Sequence, residues 1–139
     1  MSGADEGKIL DILKDKNHQY GGKIKAEGLA ALAAFVSKGL IDMTPYIDGA
    51  SKKAKGNAAR GDRLYHSLCS RCHGEEGKKL DFGNKKQSIF VGTISNDNPW
   101  EILHKIRFGQ PSEDMMAAVA LSVSDQVDIL TYIQTLPTQ

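Results

Sequence analysis

The sequence predicts an all-α fold, and three observations support this prediction. Apolar residues recur at intervals of three and four positions in several stretches, which is the spacing of one face of an α-helix. Capping residues, prolines and glycines stand where such helices are expected to begin and end. The 139 residues show no convincing alternation of apolar and polar side chains, which is the pattern of a half-buried strand.

The first part of the chain, residues 1–57, is predicted to be a helical extension with two amphipathic helices. The first helix is expected to end at Gly21-Gly22, and its apolar positions are Ile9, Ile12 and Leu13. The second helix covers residues 25–38, and Gly39 is expected to cap its C-terminal end. Its apolar face, which needs a partner, is formed by Leu29, Leu32, Phe35 and Val36.

The second part, residues 58–139, is predicted to be a separate domain. A helix with Leu64, Tyr65 and Leu68 on one face leads into Cys69, and residues 80–98 are predicted to form a loop. A new helix is expected at Pro99, because Asn98 or Asp97 can cap it and proline is favoured in a first turn. Ser124 is expected to cap the last helix, which Pro137 stops.

The strongest motif is Cys69-Ser70-Arg71-Cys72-His73, a C-x-x-C-H run typical of covalent attachment of a c-type haem. Two thiols three positions apart lie about one helical turn from each other, so both can bond to one porphyrin. His73 follows directly and is expected to ligate the iron. The motif therefore predicts one haem c, bound through Cys69 and Cys72.

Two other uses of paired cysteines fit the sequence less well. A structural zinc site needs about four ligands, and the chain has only two cysteines. A thioredoxin-like site would be expected beside a βαβ pattern, whereas the flanking residues here have helical periodicity. Two buried cysteines followed by an unrelated histidine are a third, structural interpretation.

Several motifs in the second part occur in the order found in one known family. They are Gly61-x-x-x-Tyr65, Cys72-His73-Gly74, Gly109-Gln110-Pro111, Met115-Met116-Ala117, Ser124-Asp125-Gln126 and Ile129-Leu130-x-Tyr132-Ile133-x-x-Leu136-Pro137. In these residues the chain resembles class I, mono-haem c-type cytochromes. The resemblance implies the class I cytochrome c fold, in which helices surround one covalently bound haem.

The resemblance also implies a methionine as the second axial ligand. Compared with the family's common Met-Pro-Ala, Met115 stands at the ligand position and Met116 replaces the proline. Met115 is therefore the predicted ligand, with Met116 as the alternative. A thioether ligand raises the reduction potential of the iron. Both methionines could instead be packing residues beside an open iron site.

Further residues of the haem site are predicted from their chemistry. Trp100 and Arg107 carry polar groups able to bind a haem propionate, although Trp100 could equally be a core residue and Arg107 solvated. Many class I cytochromes have a proline soon after the motif, whose carbonyl accepts from the histidine. Here no proline lies between His73 and Pro99, so another carbonyl is expected to take that place.

Composition excludes some functions and locations. The chain is 40% hydrophobic and 25% charged, as expected of a globular protein, and its net charge of +1 does not suggest nucleic-acid binding. No apolar run is long enough to span a bilayer. The first residues do not form a secretory signal, yet resemblance to c-type cytochromes implies haem attachment in the periplasm or elsewhere outside the cytoplasm. We therefore expect that a signal peptide has been removed.

The expected function is transfer of single electrons between redox protein partners in a respiratory or other periplasmic chain, without enzymatic activity. Lysines are expected to steer an acidic partner, namely Lys52, Lys53, Lys55, Lys78, Lys79, Lys85 and Lys86. One alternative is a haem enzyme or a gas- or peroxide-binding protein with an open distal site. Another is the electron-transfer subunit of a larger oxidoreductase, with residues 1–57 as a docking arm.

Overall fold

The computed structural model describes residues 5–110 and 113–138, and the prediction of an all-α fold is confirmed there. These residues form seven α-helices: α1 (Glu6–Lys14), α2 (Ala26–Ala34), α3 (Ala58–Leu68), α4 (Ser70–His73), α5 (Val91–Asp97), α6 (Pro99–Phe108) and α7 (Val123–Ile133). None of the described helices is long and apolar enough to cross a membrane. The chain divides into two compact units, Met1–Asp42 and Met43–Gln139.

The first unit is a pair of packed helices with a small apolar core. Asp5 begins α1 by accepting a hydrogen bond from the Lys8 backbone N–H (3.0 Å). The core consists of Ile9, Leu13, Leu29 and Ala33. An ion pair between Lys38 Nζ and Glu6 Oε1 (2.6 Å) adds a polar contact between the helices' ends, on the surface of this unit.

Helix α1 of the first unit ends earlier than predicted, whereas the second predicted helix extends to Gly39 but changes its form after Ala34. Helix α1 stops at Lys14, because the carboxylate of Asp15 accepts from the backbone N–H groups of Asn17 (2.7 Å) and His18 (3.0 Å). Helix α2 continues as a π-helical turn, Phe35–Gly39. Gly39 does not act as the predicted cap, since it is the last residue of this turn and Leu40 follows it in an extended conformation. Phe35 lies outside the core, with 48% of its surface exposed.

The second unit is built on the crossing of α3 and α7. The two helices approach closely at Gly61, where a Cβ atom would collide with the backbone carbonyl of Asp128. Tyr65 on α3 and Leu130 on α7 have no exposed surface. Arg60 forms ion pairs with Asp125 and with Asp128 (3.6 Å for the latter). Helices α3 and α7 therefore form the platform on which the remaining elements pack.

The prediction of a loop over residues 80–98 is wrong in its second half, where α5 (Val91–Asp97) lies. Its residues are poor helix formers, so helical propensity gave no signal. Tertiary contacts stabilise it instead. Asn96 Nδ2 donates to the Gln134 carbonyl (3.1 Å), and Asn96 Oδ1 accepts from Lys53 Nζ (2.6 Å). A Cβ at Gly92 would collide with the backbone of Leu136 and Pro137.

The predicted start of α6 is confirmed, whereas the predicted cap of α7 is wrong. Asn98 caps α6 through Oδ1, which accepts from the Glu101 N–H (3.4 Å), and Pro99 occupies the first turn. Helix α7 is capped by Ser122 and not by Ser124, since Ser122 Oγ accepts from the Asp125 N–H (3.1 Å). The earlier serine fits the S-x-x-D form of a cap, with the acidic residue three positions on.

The boundary after residue 57 stays a prediction. Residues 43–57 lie in the second compact unit, and the end of this segment binds the C-terminal part of α7, including its cap residue Gln134. The backbone N–H groups of Ala54, Gly56 and Asn57 donate to side chains of α7 at 2.9, 2.9 and 2.6 Å. This segment therefore contributes to the stability of the unit that contains the cysteines.

Candidate haem site

The two cysteines and the histidine of the motif lie on one tight turn directly after α3. Cys69 links α3 to α4, and its carbonyl accepts from the N–H groups of Cys72 (3.1 Å) and His73 (3.0 Å). Gly74 ends the turn with a φ of +84° and donates its N–H to the Ser70 carbonyl (2.7 Å). The turn thus fixes Cys69, Cys72 and His73 relative to one another.

Hydrogen bonds from residues near in sequence stabilise this turn. The hydroxyl of Tyr65 donates to the Gly74 carbonyl (2.8 Å), and burial raises the pKa of Tyr65, so the hydroxyl keeps its proton. The Lys79 N–H donates to the His73 carbonyl (2.9 Å), and Lys79 Nζ donates to the Arg71 carbonyl (2.8 Å). All these partners lie between residues 65 and 79, so the support is local in sequence.

A cavity of about 950 Å³ opens beside the turn. Its walls combine residues of α3, α5, α6 and α7 with the loop that follows His73. The apolar residues among them are Leu68, Leu80, Phe82, Val91, Ile94, Ile102, Ile106, Ala118, Ile129 and Ile133. The rings of His73 and Phe82 lie 6.3 Å apart between centroids. The cavity is therefore large, mostly apolar and bordered by the motif residues.

The cavity brings together the cysteines, the histidine and both candidate methionines. Cys69, Cys72, His73, Met115 and Met116 all line it. Met115 is half-buried, whereas 64% of Met116 is exposed. Pro111, which belongs to the predicted methionine loop, lies outside the described residues.

The loop that carries the methionines is attached to the end of α6. Gly109 has a φ of +74°, and a Cβ on it would lie 2.5 Å from the Met115 carbonyl oxygen. The Ala118 N–H donates to the Ile106 carbonyl (2.9 Å). Glycine is therefore needed at position 109 both for its backbone conformation and for the close approach of the loop.

Trp100 and Arg107 do not lie among the residues that line the cavity. Trp100 is half-buried near the start of α6. Arg107 Nη1 donates to Gln126 Oε1 (3.3 Å), and its guanidinium carbon lies 5.3 Å from the centroid of the Phe108 ring. Their binding of a haem propionate stays a prediction, and the contacts of Arg107 point to a different partner.

Gln126 is a buried polar residue to which sequence reasoning assigned no role. It is fully buried and binds the backbone of the methionine loop, as well as Arg107. A signal was present in the sequence, because Gln126, Leu130 and Ile133 share one helix face at intervals of four and three positions. A polar residue on such an apolar face requires hydrogen-bond partners.

Burial shifts the pKa of two residues of the motif, Cys69 and His73. It raises the pKa of the Cys69 thiol to about 11, whereas reactive cysteines of thiol redox proteins have lowered values. Burial lowers the pKa of His73, which favours the neutral imidazole that binds metals. The thiol redox interpretation of the motif is therefore not supported.

Within residues 5–110 and 113–138, no carbonyl accepts from the buried Nδ1 of His73 as expected. His73 Nδ1 is buried and has no hydrogen-bond partner among the residues that the structure describes. A buried ring nitrogen without a partner is unusual in a protein interior. The loop after the motif includes Glu75, Glu76 and Lys78. Its backbone contact with His73 is made by Lys79, whose N–H donates to the His73 carbonyl.

Several of the lysines expected to steer a partner are engaged within the protein. Lys52 Nζ donates to the Asp97 carbonyl (2.9 Å), Lys53 Nζ to Asn96, and Lys79 Nζ to Arg71, while Lys78 pairs with Glu76 (3.7 Å). These contacts give the lysines structural roles. Steering of a redox partner stays a prediction.

Comparison with known families gives one match. The model of the family described as "Cytochrome C oxidase, cbb3-type, subunit III" matches residues 56–133, which is more than half of the chain. Searches of curated proteins and of solved structures give no match. The matched residues contain the whole C-x-x-C-H motif, both methionines and helices α3 to α7.

A cytochrome c domain implies a covalently bound c-type haem, and the residues present fit this group. Cys69 and Cys72 have the required spacing, and both line one large apolar cavity. His73 lies next to them; burial lowers its pKa, and its buried Nδ1 has no hydrogen-bond partner among the described residues. Two thioether side chains lie on the wall of the same cavity. Within the described residues, no cluster of three or more histidine, cysteine, aspartate or glutamate side chains offers another metal site.

Proposed function

Since the chain belongs to the cytochrome c oxidase, cbb3-type, subunit III family, we propose that it carries single electrons on one haem c with His73 and Met115 as axial ligands. The observation that carries the proposal is the shared lining of one cavity by Cys69, Cys72, His73 and Met115. The bound haem supplies a ferric/ferrous couple. The protein's contribution is to hold, orient and shield this group.

The Cys–His turn, which carries Cys69, Cys72 and His73, would hold the haem in position. Cys69 and Cys72 would each form a thioether, so the porphyrin is oriented relative to α3 and α4. His73 would bind the iron as a neutral imidazole. Because the Tyr65 and Lys79 hydrogen bonds hold the turn on both sides of His73, the imidazole is expected to move little when the iron changes oxidation state.

Met115 is the better candidate for the second ligand. Its side chain is half-buried and lines the cavity, whereas most of Met116 is exposed. The attachment of the loop to Gly109 and Ile106 places the Met115 backbone against the end of α6. A thioether ligand favours the ferrous state and raises the reduction potential.

His73 and Met115 would both be bound to the iron, which would leave no place on it for a substrate. This supports electron transfer over the alternative of a haem enzyme or gas-binding protein. The haem would exchange electrons with protein partners, and covalent attachment of a c-type haem favours a location outside the cytoplasm. The donor and the acceptor would be recognised at the surface around the cavity mouth.

A second candidate function is that of an electron-transfer subunit within a larger oxidoreductase. The specific observation in its favour is the family description, which names an oxidase subunit. The test is the mass of the native particle after gentle extraction of the tagged chain. A subunit would migrate with other polypeptides in fixed ratio, while a free carrier would migrate near its own 15.1 kDa plus haem.

The test of the proposed function is a potentiometric titration of the matured protein and its Met115→Ala and Met116→Ala variants, followed by absorption. We expect a one-electron transition for the wild type, a marked fall in potential for Met115→Ala, and a nearly unchanged potential for Met116→Ala. Carbon monoxide should bind the ferrous Met115→Ala protein readily and the wild type poorly. Rapid binding to the wild type would instead favour the open-site alternative.

A further inference from the structure

The buried side chain of Gln126 connects α7 to the loop that carries Met115. It has no exposed surface. Its Nε2 donates to the backbone carbonyls of Ala118 (3.0 Å) and Leu121 (3.0 Å), and its Oε1 accepts from Arg107 Nη1 (3.3 Å). Both amide protons and the amide oxygen are therefore used.

The partners of Gln126 determine the orientation of its amide. Carbonyl oxygens can only accept hydrogen bonds, so the NH₂ group must face Ala118 and Leu121. A guanidinium can only donate, so the amide oxygen must face Arg107. Arg107 thus favours this orientation of the amide over the reversed one.

The two carbonyls belong to the segment just after the candidate ligand. Ala118 lines the cavity together with Met115, and its N–H binds the Ile106 carbonyl at the end of α6. Its carbonyl accepts from both the Leu121 N–H (3.0 Å) and Gln126. Gln126 therefore holds the point at which the methionine loop leaves α6 and turns into α7.

We infer that Gln126 is a positioning residue that holds Met115 against the haem iron, with Arg107 fixing its amide. The inference rests on the proposed function, since it requires Met115 to be the ligand. Without the two donated hydrogen bonds, the loop would be attached mainly through Gly109 and Ile106. Met115 would then leave the iron more often, and an external ligand would replace it more easily.

A second glutamine, at the C-terminal cap of the same helix, provides a matched control. Gln134, at the C-terminal end of α7, also makes three side-chain hydrogen bonds. Its Nε2 donates to the carbonyls of Lys52 (2.7 Å) and Ser95 (3.0 Å), and its Oε1 accepts from the Ala54 N–H (2.9 Å). None of these partners belongs to the methionine loop. Gln126→Leu and Gln134→Leu therefore remove the same number of bonds from the same helix, in different places.

The experiment measures the affinity of imidazole for the ferric, fully matured protein. Imidazole must displace the native ligand, so its affinity reports how firmly that ligand is held. Gln126→Leu should raise the affinity at least about fivefold, the effect expected from losing the net contribution of one or two hydrogen bonds. Gln134→Leu should leave the affinity within about twofold of wild type, although both variants should unfold at lower temperature.

A second variant keeps the test independent of folding. Gln126→Glu retains the oxygen that faces Arg107 and the size of the side chain, but it cannot donate to Ala118 and Leu121 when ionised. It should also raise the imidazole affinity. The inference is overturned if both Gln126 variants bind imidazole as wild type does, or if Gln134→Leu has an equal effect.

A comparison with Met115→Ala separates the inference from the proposed function. If Met115 is the ligand, Met115→Ala binds imidazole far more tightly than wild type, and adding Gln126→Leu has no further effect. If Met115→Ala and wild type bind imidazole equally, the assigned ligand is wrong and the inference fails with it. If Met115→Ala binds imidazole more tightly than wild type but both Gln126 variants bind it as wild type does, the ligand assignment stands and the inference alone is overturned.

Discussion

The two sides of the haem cavity are built in different ways. On the side of Cys69, Cys72 and His73, the supporting hydrogen bonds connect residues 65–79, which are close neighbours in sequence. On the methionine side, the support comes from α6 and from Gln126 on α7. The first side thus depends on a local turn, while the second depends on the packing of separate helices.

This difference indicates which side is easier to disturb. A turn held by its own backbone forms together with α3 and is expected to persist even when distant contacts weaken. The methionine loop keeps its position only while α6 and α7 remain packed. Substitutions far from the iron should therefore affect Met115 ligation much more than attachment of the haem.

The largest effect is expected when both thiols of the Cys–His side are removed. In a Cys69→Ala, Cys72→Ala double variant, no thioether can form, so the purified, denatured polypeptide should have the mass of the bare chain. Mass spectrometry before and after maturation measures this directly. Ser70→Ala is the control, since Ser70 lies between the cysteines and its hydroxyl donates to the His66 carbonyl (2.8 Å). A porphyrin mass retained by the double variant would contradict covalent attachment through these residues.

The next largest effect is expected in the platform of α3 and α7, on which both sides of the cavity pack. Gly61→Ala places a methyl group against the Asp128 backbone where α3 crosses α7, and we expect a loss of about 1–3 kcal/mol in the free energy of unfolding. Urea denaturation of the matured protein measures the loss. Gly49→Ala is the control, because no atom lies within 4 Å of its added Cβ. Equal stability of the two variants would show that the close crossing is not needed.

A smaller effect should be confined to the Cys–His side. Tyr65→Phe removes the hydrogen bond to the Gly74 carbonyl and should cost about 1 kcal/mol in the free energy of unfolding. Because the methionine loop is held separately, imidazole affinity should stay close to that of wild type. The exposed Tyr20 of the first unit gives a control, Tyr20→Phe. If Tyr65→Phe raised imidazole affinity as strongly as Gln126→Leu, the two sides would not be independent.

The smallest effect concerns pH and His66 on α3. Its Nδ1 lies 2.9 Å from both the Asp62 carbonyl and an Asp62 carboxylate oxygen, and its Nε2 lies 3.0 Å from Glu75 Oε2. The hydrogen bond to the Asp62 backbone, with the nearby carboxylates, raises the pKa of His66 above its ordinary 6.5. The stability that protonated His66 contributes is thus complete below pH 6.5 and is lost as pH rises through the raised pKa.

Melting temperatures of wild type and His66→Gln across this pH range would measure the effect. The advantage of wild type should be small, since the side chains are exposed, and it should shrink as pH rises. Glu75→Gln should reduce the pH dependence without removing it, because Asp62 remains. An advantage that grows with pH would contradict the assigned protonation.

The same difference between local and distant contacts explains what the sequence could predict. The C-x-x-C-H turn and the Asn98-Pro99 start of α6 were predictable, because their determinants are adjacent residues. The all-α fold followed from helical periodicity for the same reason. Met115 is predicted as the ligand only from resemblance to a family, since nothing local distinguishes it from Met116.

Features that depend on tertiary contacts were missed. Helix α5 is rich in poor helix formers and is stabilised by Gln134, Lys53 and the C-terminal backbone, none of which a local pattern reveals. The hydrogen bonds of Gln126, and the lack of a partner for His73 Nδ1 within the described part of the chain, likewise depend on which chain segments meet in the fold. Helix α7 is capped by Ser122, two residues before the predicted Ser124, and helix ends commonly vary by one or two residues.

The most direct test of Met115 ligation is an NMR spectrum of the ferrous protein with ¹³C-labelled methionine methyl groups. The chain has four methionines, and a methyl group bound over the iron is shifted strongly by the ring current of the porphyrin. We predict that one methyl signal of the wild type is shifted in this way, that it disappears in Met115→Ala, and that it remains in Met116→Ala. A shifted signal that persists in Met115→Ala, or its absence from the wild type, would contradict the account.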